Sequence, residues 1–232
     1  MPHFVLVAAT TAEIADTIDY LNLHFQQING NSFLKEEVKI TVLITGVGLV
    51  QTTFRLTDFL NNSTGIDGLI QAGIGGVYAY RFPLGTVVEV MQEQFGDLGV
   101  EDNNKTFMDM IELGFLQPNI PPFKEGILPK ESNFTDKFPA IKHLQKAIGN
   151  SVNKGNGSAE NIDRLLKKYP AIEVESMEGA AFFYVCRQFK LPFLQIRAIS
   201  NDVEARNRAN WQIGLAIKNL NTLLIESIST AI

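Results

Sequence analysis

Short apolar segments that alternate with amphipathic segments constrain the fold of this chain more than any other feature. The first apolar segment, 4–8, is too short for a buried helix and has the length of a buried strand. The next segment, 12–25, repeats apolar residues every three or four positions, which is typical of a helix packed on one face. Strand followed by helix, repeated along a chain, predicts a mixed, largely parallel sheet with helices on both faces. We therefore expect an α/β fold that forms a three-layer αβα sandwich.

The alternation continues to the end of the sequence. Further strands are predicted at 38–45, 67–72, 84–91, 149–153, 172–174 and 192–199. Further helices are predicted at 49–60, 135–148, 158–168, 177–189 and 210–227. Because no internal repeat, low-complexity tract or convincing linker interrupts the pattern, we expect one domain over residues 1–232.

Segment 92–134 breaks this alternation. It contains Pro118, Pro121, Pro122 and Pro129 and has little periodicity. Loops longer than about 12–15 residues in compact domains usually serve as lids, partner contacts or disordered segments. We expect this segment to be a lid or a subunit contact.

The charge balance and the cysteine count exclude several classes of protein. The chain has 25 acidic and 20 basic side chains, a formal net charge of −5 and no basic tract, so a nucleic-acid partner is not expected. Its one cysteine excludes an internal disulfide framework, and its three histidines lie far apart, so no metal is expected. No segment has the roughly 18 apolar residues of a membrane span, and no signal-peptide pattern is present. The sequence therefore predicts a cytoplasmic protein with no membrane partner.

Glycine-rich turns follow two of the predicted strands, at 46–48 and 73–76. In a parallel sheet, ligands bind at the carboxyl ends of the strands, so these turns and those at 9–13 and 200–201 are candidate binding positions. Neither glycine turn is a dinucleotide fingerprint, because the first lacks the third glycine. Two interpretations remain open for both: close approach of backbone to a ligand, or a tight turn that needs positive φ.

A carboxylate stands at the start of a predicted helix in Val174-Glu175-Ser176-Met177-Glu178-Gly179-Ala180-Ala181. The small residues that follow allow the helix to pack closely. Taken alone, Glu178 is either a ligand-binding carboxylate or a favourable charge in the first helical turn.

This segment and Leu194-Gln195-Ile196-Arg197-Ala198-Ile199-Ser200-Asn201 together resemble the purine nucleoside phosphorylase and nucleosidase superfamily, over almost the whole chain. The resemblance implies a nucleoside phosphorylase-like fold and a small-molecule nucleoside substrate, without a metal or organic cofactor. It implies that Met177 and Glu178 bind the ribose and that Asn201 binds the purine. Main-chain groups near Gly75 and Asn156 would frame the substrate. Members are usually homodimers in which a loop of the neighbour closes the pocket.

Within the superfamily, the pattern is similar to the hydrolases, the 5′-methylthioadenosine/S-adenosylhomocysteine nucleosidases and the futalosine hydrolases. Their glutamate a few residues after the first strand positions the attacking water, and Ala8-Ala9-Thr10-Thr11-Ala12-Glu13-Ile14 has the matching spacing. The resemblance therefore makes Glu13 the candidate general base. The alternative is an exposed acid at a helix N-terminus. We expect Arg197, on the strand that ends at Asn201, to be structural unless it faces the pocket.

Asn201 departs from the adenine-cleaving nucleosidases, which carry Asp at this place. An amide cannot act as a general acid, but its NH₂ group donates hydrogen bonds. A 6-oxopurine presents acceptors at O6 and N7, and hypoxanthine is a better leaving group than adenine. Asn201 therefore favours a 6-oxopurine nucleoside.

Two further segments resemble the futalosine hydrolases: Gln94-Phe95-Gly96-Asp97-Leu98-Gly99, and the run from Ser200 to Trp211 that reads SNDVEARNRANW. The resemblance implies release of hypoxanthine from futalosine, in menaquinone biosynthesis. Futalosine is an inosine derivative with a carboxyphenyl ketone, and arginine suits bidentate binding of a carboxylate. Arg206 or Arg208 is the candidate, unless both are solvated charges. A nucleoside phosphorylase, an adenine nucleosidase and a non-catalytic nucleoside-binding protein remain as alternatives.

Overall fold

The computed structural model describes residues 1–205 and 207–230 and shows a mixed α/β fold with a central mixed sheet. The strands are β1 (His3–Ala8), β2 (Gln26–Asn29), β3 (Ser32–Lys35), β4 (Val38–Ile44), β5 (Gly68–Val77), β6 (Val87–Glu93), β7 (Gly99–Glu101), β8 (Phe107–Asp109), β9 (Leu128–Pro129), β10 (Gln145–Ser151), β11 (Val174–Ser176) and β12 (Phe193–Asp202). The helices are α1 (Ala15–His24), α2 (Leu49–Asn61), α3 (Pro139–Lys142), α4 (Ala159–Lys168), α5 (Gly179–Gln188) and α6 (Ile213–Thr230). Short 3₁₀ turns occur at Thr11–Glu13, Phe134–Lys137 and Arg208–Asn210.

The centre of the sheet is parallel, as the alternating pattern predicts. β1 lies between β4 and β5 and runs parallel to both, and β5 runs parallel to β12. The carboxyl ends of β1, β5 and β12 therefore meet at one edge, where the candidate site residues follow. β2 and β3 form an antiparallel hairpin beyond β4, which the sequence analysis did not predict.

The other half of the sheet curls and closes. β12 pairs with β6, β6 with β10 and β10 with β11, and β11 pairs back onto β5 in antiparallel fashion. These five strands form a closed ring, so the sheet is not the open central layer of the three-layer sandwich that we expected. Backbone pairing of the short strand β11, which carries little pattern of its own, produces the closure.

Helices cover both faces of the open half of the sheet. Phe4 and Leu6 of β1 belong to a core that includes residues of α1 and α6. Val5 and Val7 belong to a second core with residues of α2 and α5. Because successive side chains of a strand point to opposite faces, this all-apolar strand is buried on both sides.

The predicted helix 135–148 is wrong. The segment forms a 3₁₀ turn, the single helical turn α3 and then strand β10. Ile141, Leu144 and Ile148 have helical spacing, but β10 is the strand that fills the gap between β6 and β11. Tertiary pairing therefore overrides the local periodicity.

Segment 92–134 runs outside the main sheet apart from the end of β6 and the short strand β9. It contains the small β7–β8 hairpin, and Arg187 of α5 donates hydrogen bonds to the carbonyl oxygens of Pro122 and Pro129 at 2.5 and 2.7 Å. Phe115 remains 80% exposed. Over the described ranges, no helix has the length and apolar character to cross a membrane.

Candidate active site

A cavity of about 440 Å³ opens at the carboxyl ends of β1, β5 and β12, beside the start of α5. Its described walls come from seven separate segments of the chain. The lining residues that the argument below uses are Glu13, Val47, Gly75, Asn156, Glu175, Met177, Glu178, Asn201, Asp202 and Trp211. The structure thus brings Glu13, Glu178 and Asn201 to one place.

Glu13 is buried, not the exposed helix-terminal acid of the alternative interpretation. One carboxylate oxygen, Oε2, accepts hydrogen bonds from the Thr10 backbone N–H at 3.0 Å and the Thr10 hydroxyl at 3.1 Å. The other, Oε1, accepts from the Ile74 N–H at 3.1 Å. Asn221 of α6 fixes the backbone beneath, because its Nδ2 donates to the Glu13 carbonyl at 2.9 Å while its Oδ1 accepts from the Thr17 N–H at 2.9 Å. The carboxylate is therefore held rigidly at the cavity wall.

Glu178 is the N-cap residue of α5 and is also buried. Its Oε1 accepts from the Gly48 N–H at 3.0 Å, and its Oε2 accepts from Nη1 of Arg197 at 3.2 Å. Gly48 has a φ of 97°, so its turn needs glycine and also places an N–H on the candidate site. The positive φ confirms the tight-turn interpretation of turn 46–48, whereas close approach of its backbone to a ligand stays a prediction.

Arg197 lies behind the cavity wall, and its side chain is only 2% exposed. Besides Glu178, its Nη1 donates to the Ile74 carbonyl at 3.2 Å. A Cβ built on Gly73 would lie 2.6 Å from Arg197 Nη1 and 2.9 Å from Glu13 Oε1. The missing side chain at Gly73 therefore lets the guanidinium lie close to both carboxylates. The predicted glycine turn 73–76 is part of β5, and Gly73 makes room for the Arg197 and Glu13 side chains; close approach of this backbone to a ligand stays a prediction.

Asn201 lies near the carboxyl end of β12, where it pairs with Gly76 of β5. Its Oδ1 lies 2.8 Å from the Ser200 hydroxyl, and its Nδ2 donates to the Asp202 carbonyl at 3.0 Å. The same Ser200 hydroxyl lies 3.1 Å from the Gly75 carbonyl. Gly75 and Asn201 are therefore linked through one hydroxyl at the cavity wall.

Asn156 is bound to a third, half-buried carboxylate, Glu175, that the sequence analysis did not single out. Its backbone N–H donates to Glu175 Oε1 at 3.1 Å and its Nδ2 to Glu175 Oε2 at 2.5 Å. The Tyr78 hydroxyl also donates to Glu175, at 2.5 Å. Burial raises the pKa of Glu175. The backbone N–H of Asn156 therefore already has an acceptor within the protein. Of its main-chain groups, the carbonyl could still contact a ligand.

Of the two candidate arginines, the structure describes the position of Arg208. Arg208 is exposed and does not line the cavity; its guanidinium lies 5.9 Å from the ring centroid of Trp211, which does line it. Arg206 lies outside the described residues. In the part of the chain that the structure describes, the cavity wall holds no Lys or Arg side chain and several carboxylates. Asp202 is one of these, and burial followed by the nearby Glu204 raises its pKa.

Two residues of the site carried a weak signal in the sequence. Arg197 lies inside the buried run of β12, and a charged residue within such a run indicates a buried partner. Glu175 stands between the buried residues Val174 and Ser176, so alternation places it on the other face of β11, where the structure leaves it half-buried. Neither pattern indicates the partner.

This fold, with its carboxylates at the strand ends, can be compared with known proteins. The sequence profile of the phosphorylase superfamily matches residues 3–229. The chain therefore belongs to that superfamily, as the motif resemblance implied.

Individual relatives carry the names of nucleoside hydrolases. The futalosine hydrolase of Streptomyces coelicolor is 30% identical over 66% of this chain and 62% of its own length, so the match spans less than two thirds of that enzyme. The futalosine hydrolase of Thermus thermophilus is 26% identical over 77% of this chain and 76% of its own. A 5′-methylthioadenosine/S-adenosylhomocysteine nucleosidase of Listeria monocytogenes is 27% identical over 88% of both chains.

Solved structures share the fold at lower identity. The futalosine hydrolase of Helicobacter pylori, in a mutant form, superposes with a TM-score of 0.77 at 17% identity and covers 99% of both chains. The 5′-methylthioadenosine/S-adenosylhomocysteine nucleosidase of Neisseria meningitidis, in complex with methylthio-immucillin-A, gives 0.76 at 17% identity, over 98% of this chain and 99% of its own. The two names among these relatives refer to different nucleoside substrates.

Proposed function

We propose that this protein is a purine nucleosidase that hydrolyses the N-glycosidic bond of futalosine, releasing hypoxanthine and dehypoxanthine futalosine. The observation that carries the proposal is the arrangement of Glu13, Glu178 and Asn201 around one cavity, with Arg197 behind the two carboxylates. Relatives named futalosine hydrolase support the choice of substrate.

The two carboxylates take different roles in the proposed reaction. The transition state resembles an oxocarbenium ion, with positive charge on the ribose and negative charge on the base. Glu178 hydrogen-bonds the ribose hydroxyls and stabilises the ribosyl cation, and Met177 packs beside it. Glu13 orients a water molecule and accepts its proton, a role that contributes roughly 10²–10⁴-fold to the rate. Arg197 holds Glu178 in place, because its Nη1 donates to that carboxylate at 3.2 Å.

Asn201 stabilises the departing purine in this proposal. Its amide donates to O6 or N7 of a 6-oxopurine while the Ser200 hydroxyl fixes its oxygen. The Gly75 and Asn156 main chain frames the base from two sides. The carboxyphenyl tail then extends toward Trp211, and Arg208 or Arg206 binds its carboxylate; the contact between Arg208 and the Trp211 ring supports this direction.

Asn201→Asp is expected to shift the substrate preference toward adenine nucleosides. A protonated carboxyl can donate to N7, and a carboxylate repels the O6 acceptor of a 6-oxopurine. We expect kcat/KM for futalosine to fall and adenine release from methylthioadenosine to rise, so that their ratio changes by about 100-fold or more, which corresponds to losing one well-made polar contact and gaining another. Both rates are measured by chromatography of the free base. An unchanged ratio would show that Asn201 does not read the purine.

The direct test incubates the purified protein with futalosine, inosine and methylthioadenosine, each with and without phosphate. We expect hypoxanthine from futalosine at a rate that phosphate does not change. Release from inosine that requires phosphate would instead identify a nucleoside phosphorylase, and adenine release alone would identify the adenine nucleosidase. No release from any substrate, together with nucleoside binding, would identify a non-catalytic binding protein.

The acidity of the cavity bears on the phosphorylase alternative. Phosphate needs arginines or converging main-chain N–H groups. Here the Gly48 and Ile74 N–H groups already donate to Glu178 and Glu13. The described lining contains no cation, so attack by water is the reaction that this site favours.

We also propose that the protein works as a homodimer. Val47 lines the cavity and is 48% exposed, and it continues into the exposed apolar residues Val50 and Phe54 of α2. A second copy that covers this surface, with the exposed Phe115 of its 92–134 segment nearby, would close the cavity. Light scattering after size-exclusion chromatography should give twice the chain mass, and Phe54→Asp should give the single mass. A monomeric wild-type protein at micromolar concentration would contradict this proposal.

Three further expectations accompany this function. Residues 1–232 act as one domain with a nucleoside phosphorylase-like fold. The reaction needs no metal or organic cofactor. Hydrolysis of futalosine belongs to menaquinone biosynthesis and places the protein in the cytoplasm.

A further inference from the structure

Strand β6 carries two buried glutamates with opposite surroundings. Glu89 is paired with Lys130 at 2.7 Å and with Lys146 at 2.5 Å. Glu93, the last residue of β6, is 1% exposed. It forms no ion pair with any residue in the described ranges. Its Oε2 accepts from the Ser151 hydroxyl at 2.9 Å. The proposed reaction makes no use of this carboxyl.

The fold makes room for the Glu93 carboxyl without supplying a cation. A Cβ on Gly149 would lie 2.5 Å from Glu93 Cδ, and a Cβ on Gly179 would overlap Glu93 Oε1. Two glycines from different elements, β10 and α5, therefore form the walls of this small space. Burying an ionised carboxylate without a direct partner costs several kcal/mol, whereas the protonated acid avoids that cost.

An amide nitrogen, and not a cation, borders the same small space. A Cβ on Gly179 would overlap Glu93 Oε1 and would lie 2.7 Å from Gln195 Nε2. The Gln195 Nε2 also donates to Gln71 Oε1 at 2.7 Å. The donors that face the Glu93 carboxyl from β10 and β12 therefore belong to neutral groups, the Ser151 hydroxyl and the Gln195 amide.

Glu93 is connected to the first turn of α5, which carries Glu178. The Ser151 hydroxyl that donates to Glu93 also accepts from the Ala180 N–H at 2.8 Å. The Ser176 hydroxyl lies 3.2 Å from that of Ser151 and accepts from the Gly179 N–H at 3.1 Å. A change at Glu93 is therefore transmitted to the residues that hold the helix start.

We propose that Glu93 is a positioning residue that carries a proton in the working enzyme, and that its ionisation disables the site by drawing Arg197 away from Glu178. The charged groups that act on Glu93 are Arg197 from β12 and Glu178 from the start of α5. The neighbouring side chains of β10 and β5, Ser151 and Gln71, are neutral. Burial raises the pKa of Glu93 to about 7, against the opposing effects of Arg197, Ser151 and Gln195.

Ionisation of Glu93 has two consequences for the ion pair between Arg197 and Glu178. The new negative charge attracts the Arg197 guanidinium, which now serves two carboxylates. It also repels Glu178, which is buried and has the Gly48 N–H as its other donor. Glu178 is then no longer fixed for the ribose hydroxyls.

The activity test compares pH profiles and rests on the proposed function. In wild-type protein, kcat/KM for futalosine should fall about tenfold between about pH 6 and about pH 8, because roughly one tenth of the acid stays protonated one unit above its pKa. Glu93→Gln keeps a neutral group of the same shape, so the fall should disappear. Glu89→Gln is the matched control on the same strand and should retain the fall.

A second readout does not depend on any activity. The infrared band of protonated carboxylic acid near pH 6 should be equally strong in wild-type and Glu89→Gln protein and weaker in Glu93→Gln; it need not vanish there, because burial also raises the pKa of Glu175. Because the pKa of Glu93 is higher in the folded chain than its ordinary value of 4.5, this group's contribution to stability is full below about pH 4.5 and is lost as the pH rises through about 7. The melting temperature of Glu93→Gln, relative to that of wild type, should therefore rise as the pH increases from about 4.5 to about 7.

The outcomes separate the two proposals. Absence of the acid band in wild type, or a Glu93→Gln variant that keeps the wild-type fall in activity, overturns the role of Glu93. A wild-type protein that shows the band but cleaves no nucleoside overturns the proposed function and leaves the protonated Glu93 standing. If Glu93→Gln does not fold, the wild-type band and the Glu89→Gln control decide.

Discussion

Glu13→Gln should lower kcat for futalosine by roughly 10²–10⁴-fold, because the amide cannot accept a proton from water. The substitution keeps the shape of the side chain, and its oxygen can still accept from the Thr10 N–H. Its NH₂ group then faces the Ile74 N–H that the carboxylate accepts at 3.1 Å, which adds a loss of about 1–3 kcal/mol in stability. Affinity for hypoxanthine, measured by calorimetry, should change little.

Asp16→Asn is the matched control for this prediction. Asp16 is an exposed carboxylate in the first turn of α1, three residues from Glu13. Removing its charge alters the electrostatics of the helix start and leaves the cavity untouched, so the rate should stay at the wild-type value. A Glu13→Gln variant that keeps its rate within tenfold of wild type would remove Glu13 from the chemistry.

Arg197→Met should have the largest effect on stability. It leaves the Glu178 carboxylate, whose side chain is 7% exposed, without its cation, and breaking a buried pair in this way costs about 3–5 kcal/mol. Urea unfolding at neutral pH measures the loss. Hydrolysis should fall as well, because Glu178 loses its fixed position beside the cavity.

A double variant separates the charge from the packing of Arg197. Arg197→Met combined with Glu178→Gln removes both charges, so most of the stability should return while hydrolysis stays low. Lys167→Met, which breaks an exposed pair with Asp163 on α4, should leave the unfolding midpoint nearly unchanged. If the double variant is as unstable as Arg197→Met alone, the guanidinium stabilises the fold by packing and not by pairing.

Patterns along the chain were sufficient to predict the parallel centre of the sheet. β1, β5 and β12 are short apolar runs, and nothing else in the sequence competes with a strand there. The motif resemblance placed Glu13, Glu178 and Asn201 in one site, and the structure brings these residues together, while their roles remain predictions. The local pattern was sufficient to predict a strand where the strand is buried on both faces, because its apolar run is then continuous.

Other features depend on partners that the sequence does not reveal. Segment 135–148 has helical spacing, yet β6 and β11 require a strand there. The ring closure depends on three residues of β11 that pair with both β10 and β5. The burial of Arg197 was visible in the strand pattern, but its contact with Glu178 required the folded chain.

The hydrogen bonds of Asn221 have a consequence for when activity can begin. They join the C-terminal helix to the Glu13 carbonyl, across 208 positions of sequence, and to Thr17 across 204. Contacts of such separation form only after most of the chain is available. During synthesis, Glu13 leaves the ribosome 208 residues before Asn221 and gains this anchor only once α6 has followed. A growing chain that still lacks α6 therefore holds the Glu13 carboxylate loosely, and the proposed hydrolysis depends on α6 being in place.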